Sequence, residues 1–388
     1  AQIAEDALGQ REDAVDLWNR VLSLQVETID ALRELRRLYL SDERWSDLVG
    51  VLEREVELTE DPDMQATLWE SLGTIWSDRL GNEGQALDAW NRVLQIDASY
   101  LPALEALREL YTRSADYESL ADILYRMLEH EELIADRKLD LWQEQGEIQG
   151  DMLMQPERAI EAWRQVLAYD PTNEVALDNL ERVFMQETRW EEAAAILEMK
   201  LDTIDDPQDR IELSLQIADI WETKIMDRDR AGDFYERILE DDPTNEQAGL
   251  QLESIYREQA TADSFTKLAN LYLDRSQYRS DDPEAFLEAR RQSAGVFQED
   301  LQYSEGAFLV LLTAFTAETY EDEQLLFDLG RLAGETDQWE QLIGQVEEVL
   351  NEIGEVVEAA DIHKMVGRWQ SEQLNKPEEA VYHLQRAL

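Results

Sequence analysis

Apolar residues recur along the chain at helical spacing, in short runs separated by breaks. Leu68, Trp69, Leu72, Ile75 and Trp76 fall at i, i+1, i+4, i+7 and i+8, one face of a helix. After the break Leu80-Gly81-Asn82-Glu83-Gly84, the positions Leu87, Trp90, Val93 and Leu94 predict a second helix. Leu104, Leu107, Leu110 and Tyr111 predict a third, and Leu120, Ile123, Leu124 and Met127 a fourth. Prolines mark the boundaries, because a proline inside a helix removes a hydrogen bond. Pro62, Pro207 and Pro283 share one phase, Pro171 and Pro243 another, and Pro156 and Pro377 a third; Pro102 stands alone, just before Ala103 at a helix start. No segment calls for a strand.

The four-helix pattern repeats. Matching segments begin at Ala14, Ala86, Ala159, Ala231, Ala307 and Ala380, spaced 72, 73, 72, 76 and 73. A second series (Ala31, Ala103, Ala176, Ala248) and a third (Leu68, Leu141, Leu213) run in step with it. The unit is therefore about 73 residues, or two helical hairpins. One hairpin cannot bury its apolar face alone, whereas stacked neighbours share a continuous core. The expected fold is all-α, an α-solenoid of about ten to eleven stacked hairpins. It is expected to run continuously over 1–388, with units near 1–62, 63–135, 136–207, 208–283, 284–356 and a partial 357–388. Ala1 falls in the middle of a first helix and Leu388 near the end of a second, without a polar capping element at either. That phase gives the expectation of a segment from a longer array. The spacing of 76 maps to about four extra residues at Gln259–Ser264, between two helices, where a longer loop or a local shift is expected.

These residues resemble the tetratricopeptide repeat family. From Trp69 the pattern Trp69, Leu72, Gly73, Trp76, Ala86, Trp90 nearly spells the family motif, with Ala98 where its proline belongs and a loop one residue longer than the family norm. The turns Asp170-Pro171-Thr172-Asn173 and Asp242-Pro243-Thr244-Asn245 agree with it, as do the aromatics Trp45, Tyr117, Trp190 and Trp339. Alternate hairpins are degenerate: Arg108 replaces the glycine and Leu120 the small alanine. The resemblance implies a right-handed solenoid of helix-turn-helix hairpins whose first helices line a concave groove. It points to Glu70, Thr74, Ser77, Asp78, Gln143, Glu147, Asp151, Asp219 and Glu222 as the partner-binding face. The family's clamp for a partner's terminal carboxylate uses Lys, Asn and Arg at such positions. Here they hold acids, amides and hydroxyls, so that ligand type is rejected. Arg33, Arg37, Arg113 and Arg182 supply cations on the alternate hairpins, too scattered to define a site.

Candidate chemistry is thin. His130, His363 and His383 form no metal-ligand spacing, and each reads as a packed or solvated histidine rather than a zinc ligand. Phosphate-cradling glycine loops and the Gly-x-Ser-x-Gly elbow are missing, so neither cofactor binding nor serine hydrolysis has its parts. The recurring Asp61-Pro62-Asp63, Asp205-Asp206-Pro207 and Asp281-Asp282-Pro283 read as helix N-caps rather than calcium or glycosidase carboxylates. Of 11 tryptophans all but Trp369 reuse repeat positions, so they read as core and not as a ligand platform.

Charge sets the partners. The 388 residues carry 35 Lys+Arg and 88 Asp+Glu, a formal net charge of −53, which repels nucleic acid and anionic membranes. Apolar residues still make up 44%, enough for a folded core. Cysteine is absent, removing disulfides and thiolate sites and leaving cytoplasm and periplasm equally open. No stretch approaches a membrane span, so direct insertion is not expected. Long acidic arrays of this kind look similar to bacterial cell-envelope proteins, a lean toward periplasm or exterior. The leading expectation is a non-enzymatic scaffold binding other proteins, with basic segments or copies of itself as partners. The alternatives are a filament built by end-to-end stacking, and the docking region of an enzyme encoded beyond this segment.

Overall fold

Helix starts are fixed by capping. Asp61, Asp206 and Asp282 accept hydrogen bonds from backbone amides of the first turn, each with a proline at the first helical position. Asn82, Asn173 and Asn245 do the same at three further starts. The Asp-Pro-Thr-Asn turns close on themselves: Thr172 N–H donates to the Asp170 carboxylate (3.2 Å), and hydrogen bonds from Asn173 and Thr172 hold that carboxyl below its usual range.

The computed structural model describes residues 11–24, 28–130, 134–354 and 359–388. Among them are helices only, in two compact units, Ala1–Glu187 and Thr188–Leu388. The first unit holds α1 (Arg11–Leu24), α2 (Ile29–Ser41), α3 (Trp45–Leu58), α4 (Pro62–Thr74), α5 (Glu83–Ile96), α6 (Leu101–Ser114), α7 (Tyr117–Leu128), α8 (Ala135–Glu147), α9 (Pro156–Tyr169) and α10 (Glu174–Gln186). The second holds α11 (Trp190–Leu201), α12 (Pro207–Asp219), α13 (Arg228–Asp241), α14 (Glu246–Gln259), α15 (Ala262–Gln277), α16 (Pro283–Gly295), α17 (Ser304–Leu312), α18 (Glu323–Thr336), α19 (Trp339–Ile353), α20 (Ala360–Glu372) and α21 (Pro377–Arg386). Within each unit, consecutive helices pair as stacked hairpins, the arrangement of an α-solenoid. The phase of Ala1 lies outside the described residues.

Small-to-large pairing builds the core. A Cβ added to Gly73 would lie 2.6 Å from the Trp90 ring, and one added to Gly146 only 2.5 Å from Trp163. Glycine on the first helix is therefore the notch that admits tryptophan from the second. One unit later the equivalent positions hold Ala218 and Tyr235, both buried, a larger residue at the notch and a smaller ring opposite in the repeat. None of the tryptophans is exposed. Trp369, out of phase in the sequence, packs on Trp339 with centroids 5.8 Å apart and covers Gly330.

Two expectations are corrected. The extra residue expected as a longer loop is instead wound into the helix: α4, α8, α12 and α16 each run on into a π-helical turn, Ile75–Arg79, Ile148–Met152, Ile220–Ile225 and Val296–Asp300. Wider i→i−5 bonds absorb one residue without breaking the helix, as in Leu80 N–H to Ile75 O at 3.0 Å. Each of these helices ends on a left-handed residue at one repeat position: Gly81, Met154, Met226, Gln302 and, after α20, Asn375. The second correction concerns the four-residue insertion. Only Ala260 and Thr261 separate α14 from α15, so no loop is lengthened there. The insertion is an added turn of α15, which has 16 residues against 12 in its counterpart α11. Four residues make about one α-turn, so the buried face is kept.

Candidate functional site

The proposed binding face lies on the first helices of the regular hairpins, and its nine residues fall into two groups. Several are tied to their own protein. Glu70 accepts a hydrogen bond from Tyr100 Oη (2.9 Å), and Gln143, one unit later, donates to Asn173 Oδ1 (3.5 Å). Tyr100 and Asn173 are both N-cap residues, so Glu70 and Gln143 latch a first helix to the start of the next hairpin. Arg291 to Asp322 (2.6 Å) is the same latch in the second unit, made from different chemistry. Asp151 pairs with Arg182 at 2.8 Å. Glu222 accepts from Arg228 Nε (3.1 Å) and from Tyr235 Oη (3.0 Å). Burial first, then that bond, raises the Tyr235 phenol far above its ordinary value.

The other group faces solvent. The Thr74 hydroxyl bonds back to Glu70 O (3.0 Å), and Ser77 bonds to the neighbouring Asp78. Glu147 and Asp219 occupy the same repeat position as Thr74 and are exposed. Neither makes a hydrogen bond or ion pair among the described residues. Desolvation, Asp151 and Glu144 together hold the Glu147 carboxyl above its usual range. The first unit thus presents Glu147, and the second Asp219, as negative charge without a cation. The scattered arginines are neutralised locally: Arg33 lies 3.7 Å from Glu55, Arg37 3.2 Å from Glu34, and Arg113 2.8 Å from Glu109.

Single-residue reading missed a polar cluster between α19, α20 and α21. His363 Nδ1 and His383 Nδ1 are 2.8 Å apart, so one donates and the other accepts. His383 Nε2 lies 3.1 Å from Glu347 Oε1, which also accepts from Gln370 (2.9 Å). His363 and His383 come from the two helices of one hairpin, and that shared hairpin was the available signal. The groups run in a chain rather than converging, and among the described residues no three His, Cys, Asp or Glu side chains are placed to hold a metal. No described helix is long and apolar enough to cross a membrane.

The sequence model of the tetratricopeptide repeat matches residues 31–63 and 176–211. Those two stretches are tetratricopeptide repeats. Both matched stretches begin on alternate first helices, α2 and α10, which lack the glycine notch. Among solved structures, the chain is similar to one in the Naa15/Naa10 complex bound to HypK-THB, at 12% identity and TM-score 0.36. That likeness covers 98% of this chain and 61% of the other, so the chain spans less than two thirds of that relative's length. It is also similar to a repeat protein from Parabacteroides merdae (16% identity, 78% and 98% covered, TM-score 0.30) and to the C-terminal part of one from Cytophaga hutchinsonii (14%, 61% and 93%, 0.30). No curated protein matches the chain.

Proposed function

We propose that this protein is a non-enzymatic scaffold that holds basic segments of other proteins against the first-helix faces of its regular hairpins. The tetratricopeptide fold supports an interaction role in general. The observation that carries the finer reading is Glu147. Its carboxyl is crowded by Asp151 and Glu144 and has no cation of its own, so an incoming lysine or arginine relieves a repulsion already present. Thr74 holds the equivalent position on helix α4 of the same unit, with Asp78 one turn on, and Asp219 repeats the exposed acid in the other unit.

Fluorescence anisotropy with a lysine- and arginine-rich peptide tests this at low and high salt. Binding is expected to weaken severalfold between about 0.05 M and 0.5 M salt, and again in Glu147→Gln. Affinity indifferent to both changes removes the acidic-face reading.

A further inference from the structure

Two departures from the repeat meet at one place in the second unit. The fourth residue after the N-cap of the alternate first helices is a buried leucine in four cases, Leu32, Leu104, Leu177 and Leu326, none more than 3% exposed. In α14 it is Gly249. The second departure is the added turn of α15, which carries Asp274 and Arg275 and leads into Tyr278 and Arg279. Arg275 reaches back across the space the leucine would fill: a Cβ on Gly249 would lie 2.8 Å from Arg275 Nη2. A cleft of about 270 Å³ opens there, walled by Leu239, Pro243 and Leu271.

Arg275 is poorly satisfied. Its side chain is only 20% exposed, and its nearest carboxylate is Glu253 at 4.0 Å. Glu253 already accepts from Arg257 at 3.5 Å. The guanidinium stands 5.7 Å from the Tyr272 ring centroid and makes no hydrogen bond among the described residues. A guanidinium carries five N–H donors in a planar fork, so one that is four-fifths buried with only a distant carboxylate beside it can take up a second acceptor. Arg279, at the rim, is taken by Glu246 at 3.3 Å.

We infer that this cleft binds a small organic monoanion, a carboxylate on a compact apolar body, with Arg275 as the carboxylate's partner. The planar fork selects a carboxylate. Glu246 and Asp274 balance Arg275 and Arg279, so the lining is close to neutral and disfavours a dianion such as phosphate. Leu239, Pro243 and Leu271 supply the apolar wall, and the space is just under the ~300 Å³ at which ligand clefts usually start, which limits the ligand to a compact one. The cleft is separate from the acidic first-helix face, and its binding is independent of that reading.

Calorimetry on the full chain with benzoate as probe tests it, beside neutral benzamide, inorganic phosphate, and a peptide with a free or amidated C-terminal phenylalanine. Saturable benzoate binding is expected, weakened about tenfold or more in Arg275→Gln, the scale of one charge-assisted pair. Gly249→Leu restores the residue of the other hairpins and should abolish binding with the helical circular dichroism retained. Tighter binding of the free-ended peptide than of benzoate assigns the carboxylate to a chain terminus, and the reverse to a free small molecule; either supports the cleft. The inference is overturned by absent benzoate saturation, by benzamide or phosphate binding as well as benzoate, or by Arg275→Gln leaving affinity unchanged. Should Gly249→Leu fail to fold, the Arg275 comparison decides alone.

Discussion

Glu55 is a carboxylate almost wholly out of water, 1% exposed, in the core between α2 and α3. Arg36 Nη1 lies 3.1 Å from it and Arg33 Nε 3.7 Å, while neither of its oxygens has a well-aligned hydrogen bond. Such a pair is weak evidence for stability, yet breaking it from one side is expensive, because the stranded charge stays buried. Arg36→Ala leaves Glu55 only the more distant Arg33 and should therefore destabilise the first unit by about 1–3 kcal/mol, whereas Glu55→Leu should be close to neutral. Urea unfolding of the two variants checks this; equal losses would mean the pair contributes by attraction rather than by neutralising Glu55. Similar logic applies to Gln145 and Gln149, both fully buried without partners where the preceding unit has Leu72 and Trp76. These departures were visible as broken periodicity in α8. Their burial was not, because an amide in the stripe reads equally as a surface position.

Elements were more legible than their joints. Period, proline phase and capping aspartates placed the helices, because each signal is local and recurs. The π turns were hidden, since one extra residue between two helices reads the same whether it lengthens a loop or widens a helix. The α15 insertion was misplaced because landmarks thin out between Ala248 and Pro283. The binding face was half legible: helical phase chose Glu70 and Gln143, while their latches to residues 30 positions away appear only in three dimensions. The α20–α21 hairpin is a joint of this kind, held by the His363–His383 bond. Glu347 faces the pair from α19, while Glu379, Tyr382 and Arg386 line the same space from α21. Burial, then the neighbouring His383 and Arg386, depress His363 below the ordinary imidazole value of 6.5. The unfolded chain then binds a proton that the folded one refuses, so His363 contributes stability above pH 6.5 that is lost as pH falls through its folded value. Amide hydrogen exchange should show α20 and α21 losing protection between about pH 7 and 5, relative to α18, and His363→Gln should flatten that loss. Protection that tracks α18 throughout would place the hairpin's stability elsewhere.

For the whole molecule, charge poses a contest between two effects that salt pulls in opposite directions. Ion pairs are numerous, and many join two exposed side chains, such as Arg44–Asp47 (44% and 47% exposed) and Arg368–Glu372 (66% and 58%). Each such pair stabilises by roughly 0–1 kcal/mol, and salt weakens it. Against them stands a net charge of −53, whose self-repulsion opposes any compact state. Repulsion acts among all uncompensated acids within a screening length, about 30 Å at 0.01 M salt but only about 10 Å at 0.1 M. The pairs act at contact, where screening is least effective. Added salt should therefore relieve more repulsion than it costs in attraction, and the chain should become more stable. The expected result is a thermal midpoint, followed by circular dichroism, that rises by several degrees between about 0.01 M and 0.1 M sodium chloride and then levels off. A midpoint that falls over the same range would mean that the contact pairs dominate, with the acids already far enough apart on the repeating surface to ignore one another.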